Sequence, residues 1–200
     1  MTMDVDNITD KINNIDLNKK NDDNRILNIP TTPSLLQTKE WRMAQSWWAG
    51  GRKTECEIYQ RNIIEQIFLK KCEKTNERLN EYTLQIQNIN HIEKLNDACE
   101  WSESFDGKTI INKTTMYFNF KFICEAGGAQ SRSVKDVYKF IRSQCEYCKK
   151  NKDNDIYFIN ILDGKYFYDR RHNFYHLSKI YDEKKVYIGD LDSFKKIYSN

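Results

Sequence analysis

The chain has 200 residues, of which 39% are apolar and 30% charged, with a formal net charge of +3. That length and apolar share fit one domain with its own core, and an aromatic content of 13% argues against disorder over most of the chain. No run of 18 uncharged apolar residues suggests a membrane span, and six cysteines are too few for a disulfide scaffold, so reduced thiols in a cytoplasmic setting are expected.

Residues 1–29 are rich in Asn and Asp, lack aromatics and carry six acids against four Lys or Arg, which predicts a mobile tail. Residues 30–98 read as a helical N-terminal part. Ser34 is a candidate cap, and Trp41, Trp47 and Trp48 are expected to anchor WRMAQSWWAGG on the core. Thr54 with Glu57 has the spacing of a capping box. The apolar residues Ile63, Ile64, Ile67, Phe68 and Cys72 extend a helical pattern. The absence of Gly and Pro between Thr54 and Gly107 predicts a helix over 55–82 and a second over 84–98.

Residues 99–200 read as an α/β core, with 55–200 forming one compact domain. Asp106-Gly107 marks a turn, and Ile110-Ile111 a short strand. TMYFNFKFIC, residues 115–124, alternates Met116, Phe118, Phe120, Phe122 and Cys124 with Thr115, Tyr117, Asn119, Lys121 and Ile123. Both sets are mostly apolar, which predicts a central strand covered on both faces. EAGGAQS is expected to be a loop, followed by a helix from about Ser133 with Val134, Val137, Tyr138, Ile141, Cys145 and Cys148 on one face. IYFINIL, residues 156–162, is a second core strand. The strand, helix, strand order predicts a right-handed parallel crossover. KYFYDRR is expected to extend or pair beside that strand, HNFYHLSKIY to be a short helix or coil, and KVYIGDLDSFKKIY to be a strand, a turn and a final helix.

The polar residues that stand out are Asp106 in its turn and Asn119 with Lys121 on one strand face. A carboxylate, an amide oxygen and a lysine suit Mg²⁺-assisted hydrolysis at phosphate. The oxygens are hard ligands, and the lysine orients water and offsets anionic charge. Gln130, Ser131, Arg132, Ser133 and Lys135 sit where a glycine loop meets a helix, a place suited to phosphate and base-edge contacts. Arg170 and Arg171, interleaved with Tyr168, Phe174 and Tyr175, have the character of a nucleic-acid backbone contact. Cys145-x-x-Cys148 has metal spacing but no second pair and reads as buried thiols. His172 and His176 lack the glutamate of a zinc-protease pair. Asp163 and Asp190 stand at strand ends and read as turn residues worth testing.

The arrangement resembles the PD-(D/E)XK nucleases, the fold of most type II restriction endonucleases. Asp106 matches the first acid, Asn119-Phe120-Lys121 the D/E-X-K element, and Gly127 to Leu162 the crossover helix and strand. Glu57 matches the glutamate of an upstream helix, with Glu65, Glu100 and Glu103 as alternatives. The chain departs from the pattern at Asn119, where the family has an acid. The resemblance implies a restriction-endonuclease-like α/β fold, a central mixed sheet flanked by helices, and site-specific cleavage of double-stranded DNA by a homodimer. It implies Mg²⁺ held by Asp106 and Asn119, and catalysis by these with Lys121 and Glu57. A non-catalytic DNA- or RNA-binding protein and an interaction domain built on the helices are the competing expectations.

Overall fold

A computed structural model describes residues 27–28, 38–48, 54–91, 94–101, 103–181 and 184–198. The expected tail lies outside these residues except for Leu27–Asn28, which forms a short strand, β1. The following elements, in chain order, are α1 (Lys39–Met43), α2 (Thr54–Phe68), β2 (Glu77–Leu79), β3 (Ile86–Asn88), β4 (Gly107–Ile111), β5 (Thr114–Phe122), α3 (Gly128–Lys150), β6 (Ile156–Asp163), α4 (Lys165–Asp169), α5 (His172–Ile180), β7 (Val186–Gly189) and α6 (Leu191–Tyr198).

The main sheet has the order β1-β7-β6-β5-β4. Strands β5, β6, β7 and β1 are parallel, and β4 joins β5 as an antiparallel hairpin, so the sheet is mixed. The expected central strand is β5, paired on both edges by β4 and β6. Its two side-chain sets enter two separate cores. Tyr117 packs with Val137, Ile141 and Cys145 of α3, Phe158 of β6 and Leu177 of α5. Met116, Phe118 and Phe120 pack with Ile64 and Phe68 of α2 and Phe194 of α6. Helices thus cover both faces, as the apolar alternation of β5 requires. Cys145 and Cys148 are buried and not disulfide-bonded, and they pack within the core under α3.

Four expectations fail. The long helix ends at Phe68 instead of residue 82, because Leu69 takes a left-handed backbone (φ 51°) that closes the last turn. The predicted second helix over 84–98 is replaced by the β2-β3 hairpin, in which Leu79 pairs with Ile86. The turn between them needs neither Gly nor Pro. Asn80 Oδ1 accepts the backbone N–H groups of Tyr82 and Thr83, an Asx-type turn that substitutes for them. KYFYDRR forms a helix, α4, and does not pair beside β6. The helix placed near Ser133 begins at Gly128, about one turn earlier.

Gly164, directly after β6, takes φ +102°, and a Cβ there would lie 2.3 Å from the carbonyl oxygen of Ile123. Ile123 N–H donates to Asp163 O, and Tyr166 N–H to Ile123 O, so this crossing ties the end of β6 to the chain leaving β5. Gly164→Ala is therefore expected to cost about 3 kcal/mol or more, through both strain and collision. Urea unfolding checks this, with Gly128→Ala, which meets nothing within 4 Å, as the near-neutral control.

Candidate active site

The parallel strands β5 and β6 end side by side, and the chain crosses from them into α3 and α4. Ligands of open α/β sheets commonly sit at such carboxyl ends. A cleft of about 690 Å³ opens there, with Glu57, Glu103, Asp106, Lys121, Gln130 and Ser133 in its walls.

Asp106 is held at the start of β4. Its N–H donates to Phe118 O at 2.9 Å, and its Oδ2 accepts from Phe120 N–H at 2.7 Å. Lys121 extends from the end of β5 so that its Nζ lies 3.9 Å from Asp106 Oδ2 and 2.6 Å from Glu103 Oε2. Glu57 comes from the first turn of α2. Arg61, one helical turn later, donates to Glu57 Oε1 at 2.7 Å, to Cys72 O at 3.1 Å and to the backbone carbonyl of Asp106. One guanidinium thereby fixes α2, the Glu57 carboxylate and the start of β4 together.

The electrostatics follow from burial. Desolvation pushes the Asp106 carboxyl up to about 6, against the opposing pull of the Lys121 charge. Burial also works against the Lys121 ammonium, but Asp106 and Glu103 outweigh it and hold Lys121 above its ordinary value. Glu103 is drawn down, chiefly by the Lys121 charge. Lys121 therefore sits between two carboxylates, of which Asp106 is pushed up by burial and Glu103 drawn down by the Lys121 charge.

Of the residues expected at the site, Asp106, Lys121 and Glu57 come together and Asn119 does not. Asn119 is 3% exposed. Its amide donates to Asn160 Oδ1 at 3.1 Å, and Gln144 Nε2 of α3 donates to the same oxygen. Asn160 in turn donates to Gln144 Oε1 and to Tyr187 O. The metal and catalytic role expected of Asn119 is thus corrected. A side chain two residues before Lys121 on β5 lies under α3, inside an amide network. Among the alternative glutamates, Glu103 reaches the cleft. Glu65 accepts the N–H of Cys72, and Glu100 accepts from Asn80.

Gln130 and Ser133 line the cleft. Ser131 meets the Tyr166 hydroxyl at 2.5 Å, and Arg170 stacks over the same ring at 3.6 Å. Arg171 stacks over Tyr168 at 4.2 Å, while Arg132 and Lys135 are exposed on the first turns of α3. The start of α3 and the α4–α5 junction therefore form one surface carrying Ser131 and Arg170. The tryptophans build another wall. Trp41 stacks on Phe122 at 6.4 Å and packs edge-on to Tyr59, Arg42 lies over Trp48 and Phe122, and Lys39 pairs with Glu125.

Gln60 and Asp163 escaped the sequence reading as a pair. Gln60 is fully buried, and its Nε2 donates to Asp163 Oδ2 at 2.7 Å and to the Lys121 carbonyl at 3.3 Å. Asp163 Oδ1 accepts from Leu191 N–H at the start of α6. Burial pushes Asp163 up to about 7. The only available signal was a strand-end carboxylate, which reads equally well as a turn residue.

Comparison with family models, curated proteins and solved structures finds no match to this chain. Among the described residues, no three His, Cys, Asp or Glu side chains group closely enough to form a metal cage, and no helix is long and apolar enough to cross a membrane.

Proposed function

We propose that the protein is a Mg²⁺-dependent endonuclease that hydrolyses phosphodiester bonds in double-stranded DNA. The observation carrying this reading is the convergence of Asp106 and Lys121, 3.9 Å apart, in one cleft with Glu57 of the preceding helix. The chain order supports it: a helix with Glu57, Asp106, the strand ending in Lys121, a crossover helix and a parallel strand follow the order of the PD-(D/E)XK nucleases. Glu103, ion-paired to Lys121, is the natural substitute for the acid that Asn119 lacks.

The donor set fits magnesium. Mg²⁺ keeps several waters and takes one or two carboxylates plus substrate phosphate, so a full protein cage is not required. Asp106 Oδ2 is engaged by Phe120 N–H, and Asp106 has no counter-charge closer than Lys121 at 3.9 Å among its ion pairs. Asp106 and Glu103 would hold the ion, with Glu57 beside them. When bound, the ion supplies charge neutralisation at the phosphate and acidifies water. Lys121 orients the attacking water and stabilises negative charge on the phosphoryl oxygens. Arg61 keeps Glu57 and Asp106 in place, and the start of α3, with Gln130, Arg132, Ser133 and Lys135, receives the backbone phosphates. Arg170 and Arg171 extend this contact. A two-fold homodimer would place two clefts on opposite strands.

Two measurements test the reading. Purified protein is expected to cut duplex DNA with Mg²⁺ and not with EDTA; failure on diverse duplexes defeats it. Independently of turnover, millimolar Mg²⁺ is expected to raise the melting temperature at pH 8 by ligand linkage. Asp106→Asn should abolish this rise, and an equal rise in the variant excludes Asp106 as a ligand.

A further inference from the structure

A second opening, about 630 Å³, lies between the β2-β3 hairpin and the segment that follows it. Its walls are unlike those of the first cleft. Gln85, Gln87, Asn88 and Asn90 contribute neutral amides, Lys94 one cation, and Trp101 an aromatic face. The hairpin is antiparallel, with Glu77 opposite Asn88 and Arg78 opposite Gln87, and Gln85, Gln87, Asn88 and Asn90 are all exposed. Trp101 is fixed at both ends: its backbone bridges to Asn80, and its Nε1–H donates to Asp97 Oδ2 at 3.2 Å.

This opening is joined to the catalytic cleft by a short piece of chain. The Glu81 N–H donates to Glu100 O and the Phe105 N–H to Glu77 O, so the hairpin is stitched to residues 100–105. Trp101 lines the second opening and Glu103 the first. Two residues of chain span at most about 7 Å. A duplex bound across both openings would present base edges to the hairpin.

The geometry points to the hairpin opening as the base-reading site of the nuclease, with an adenine-containing base-pair edge as its ligand class. Amides pair bidentately with adenine, donating and accepting at once, which a lysine or carboxylate cannot do. A two-stranded ribbon fits the major groove. The division of labour is physical: cations at the start of α3 and near Arg170 position the backbone, and neutral amides at the hairpin discriminate sequence.

The inference rests on the nuclease reading, and the experiment separates the two. Full-length Asp106→Ala protein, bound without cleavage, is used to select from a pool of random duplexes by competition at fixed salt. The same selection is run with Gln87→Ala/Asn88→Ala added. The single variant is expected to enrich an adenine-containing motif. The added pair should lower discrimination between that motif and a scrambled duplex by about 10-fold or more while leaving affinity for the scrambled duplex within about 3-fold. Because Gln87 and Asn88 are exposed, their loss should leave the melting temperature unchanged. Unchanged discrimination overturns the assignment, as does a wild-type protein that cuts DNA without sequence preference, although the nuclease reading then survives. Absence of any DNA binding or cleavage overturns both.

Discussion

Lys121→Ala and Asp106→Ala are each expected to reduce Mg²⁺-dependent DNA cleavage by about 10²–10⁴-fold, the range over which a positioned acid–base or charge-stabilising group acts. The two losses should not add, because the side chains share one site. Removing the Lys121 ammonium leaves Asp106 and Glu103 without their common cation, so Lys121→Arg, with its planar and bulkier head, is not expected to rescue. Glu103→Gln should cost less, since Glu103 is 76% exposed while Asp106 is 19% exposed. Full activity in either alanine variant would remove the proposed site.

The pH dependence has a definite sign. Folding moves Asp106 from 3.8 to about 6, so between these values the folded state binds the proton that the unfolded state has released. Stability therefore falls as pH rises through that window. Asp163 contributes the same sign up to about 7. Activity runs the other way, because a ligand carboxylate must be ionised: kcat/KM is expected to rise through about pH 6. In Lys121→Ala the residual acid limb should move to higher pH. The site thus keeps a carboxylate that is costly without a bound cation, and Asp106→Asn is expected to be more stable than wild type at pH 8 while losing cleavage.

The sheet was legible in the sequence because its strands carry period-two patterns in β-branched and aromatic residues. The two-faced alternation around Tyr117 and Phe118 admits a central position only, and α3 announces itself through Val134, Val137, Ile141 and Cys145 at helical spacing. The hairpin was not legible. Glu77-Arg78-Leu79 is too short to show alternation, and its turn is closed by the Asn80 side chain instead of a glycine. At the site, Asp106 and Lys121 were visible as residue types at a loose spacing. What brought them together, Phe120 N–H on the Asp106 carboxylate and Arg61 across α2 and β4, depends on contacts 14 and 45 positions apart. Strand parity placed Asn119 beside Lys121 correctly. Parity says nothing of depth, and one strand pair of residues, about 7 Å, separates the open end of β5 from the amide network under α3.

That depth produces a test that a motif alone would get backwards. If residue 119 belonged to the metal site, Asn119→Asp would restore the missing acid and raise cleavage. The structure predicts a loss. Asn119 Nδ2–H donates to Asn160 Oδ1, an oxygen that also accepts from Gln144, and an aspartate there presents an acceptor to an acceptor. Its charge would be buried without a cation, at a cost of about 3 kcal/mol at neutral pH. The loss should shrink as pH falls, because the protonated carboxyl regains an O–H to donate to Asn160. Urea unfolding at pH 8 and pH 5, beside cleavage assays with Mg²⁺, decides the matter. An Asn119→Asp protein as stable as wild type and more active would put residue 119 back in the metal site and Glu103 out of it. A protein weakened at pH 8, recovering toward pH 5 and gaining no activity, leaves Glu103 as the second acid of the cleft.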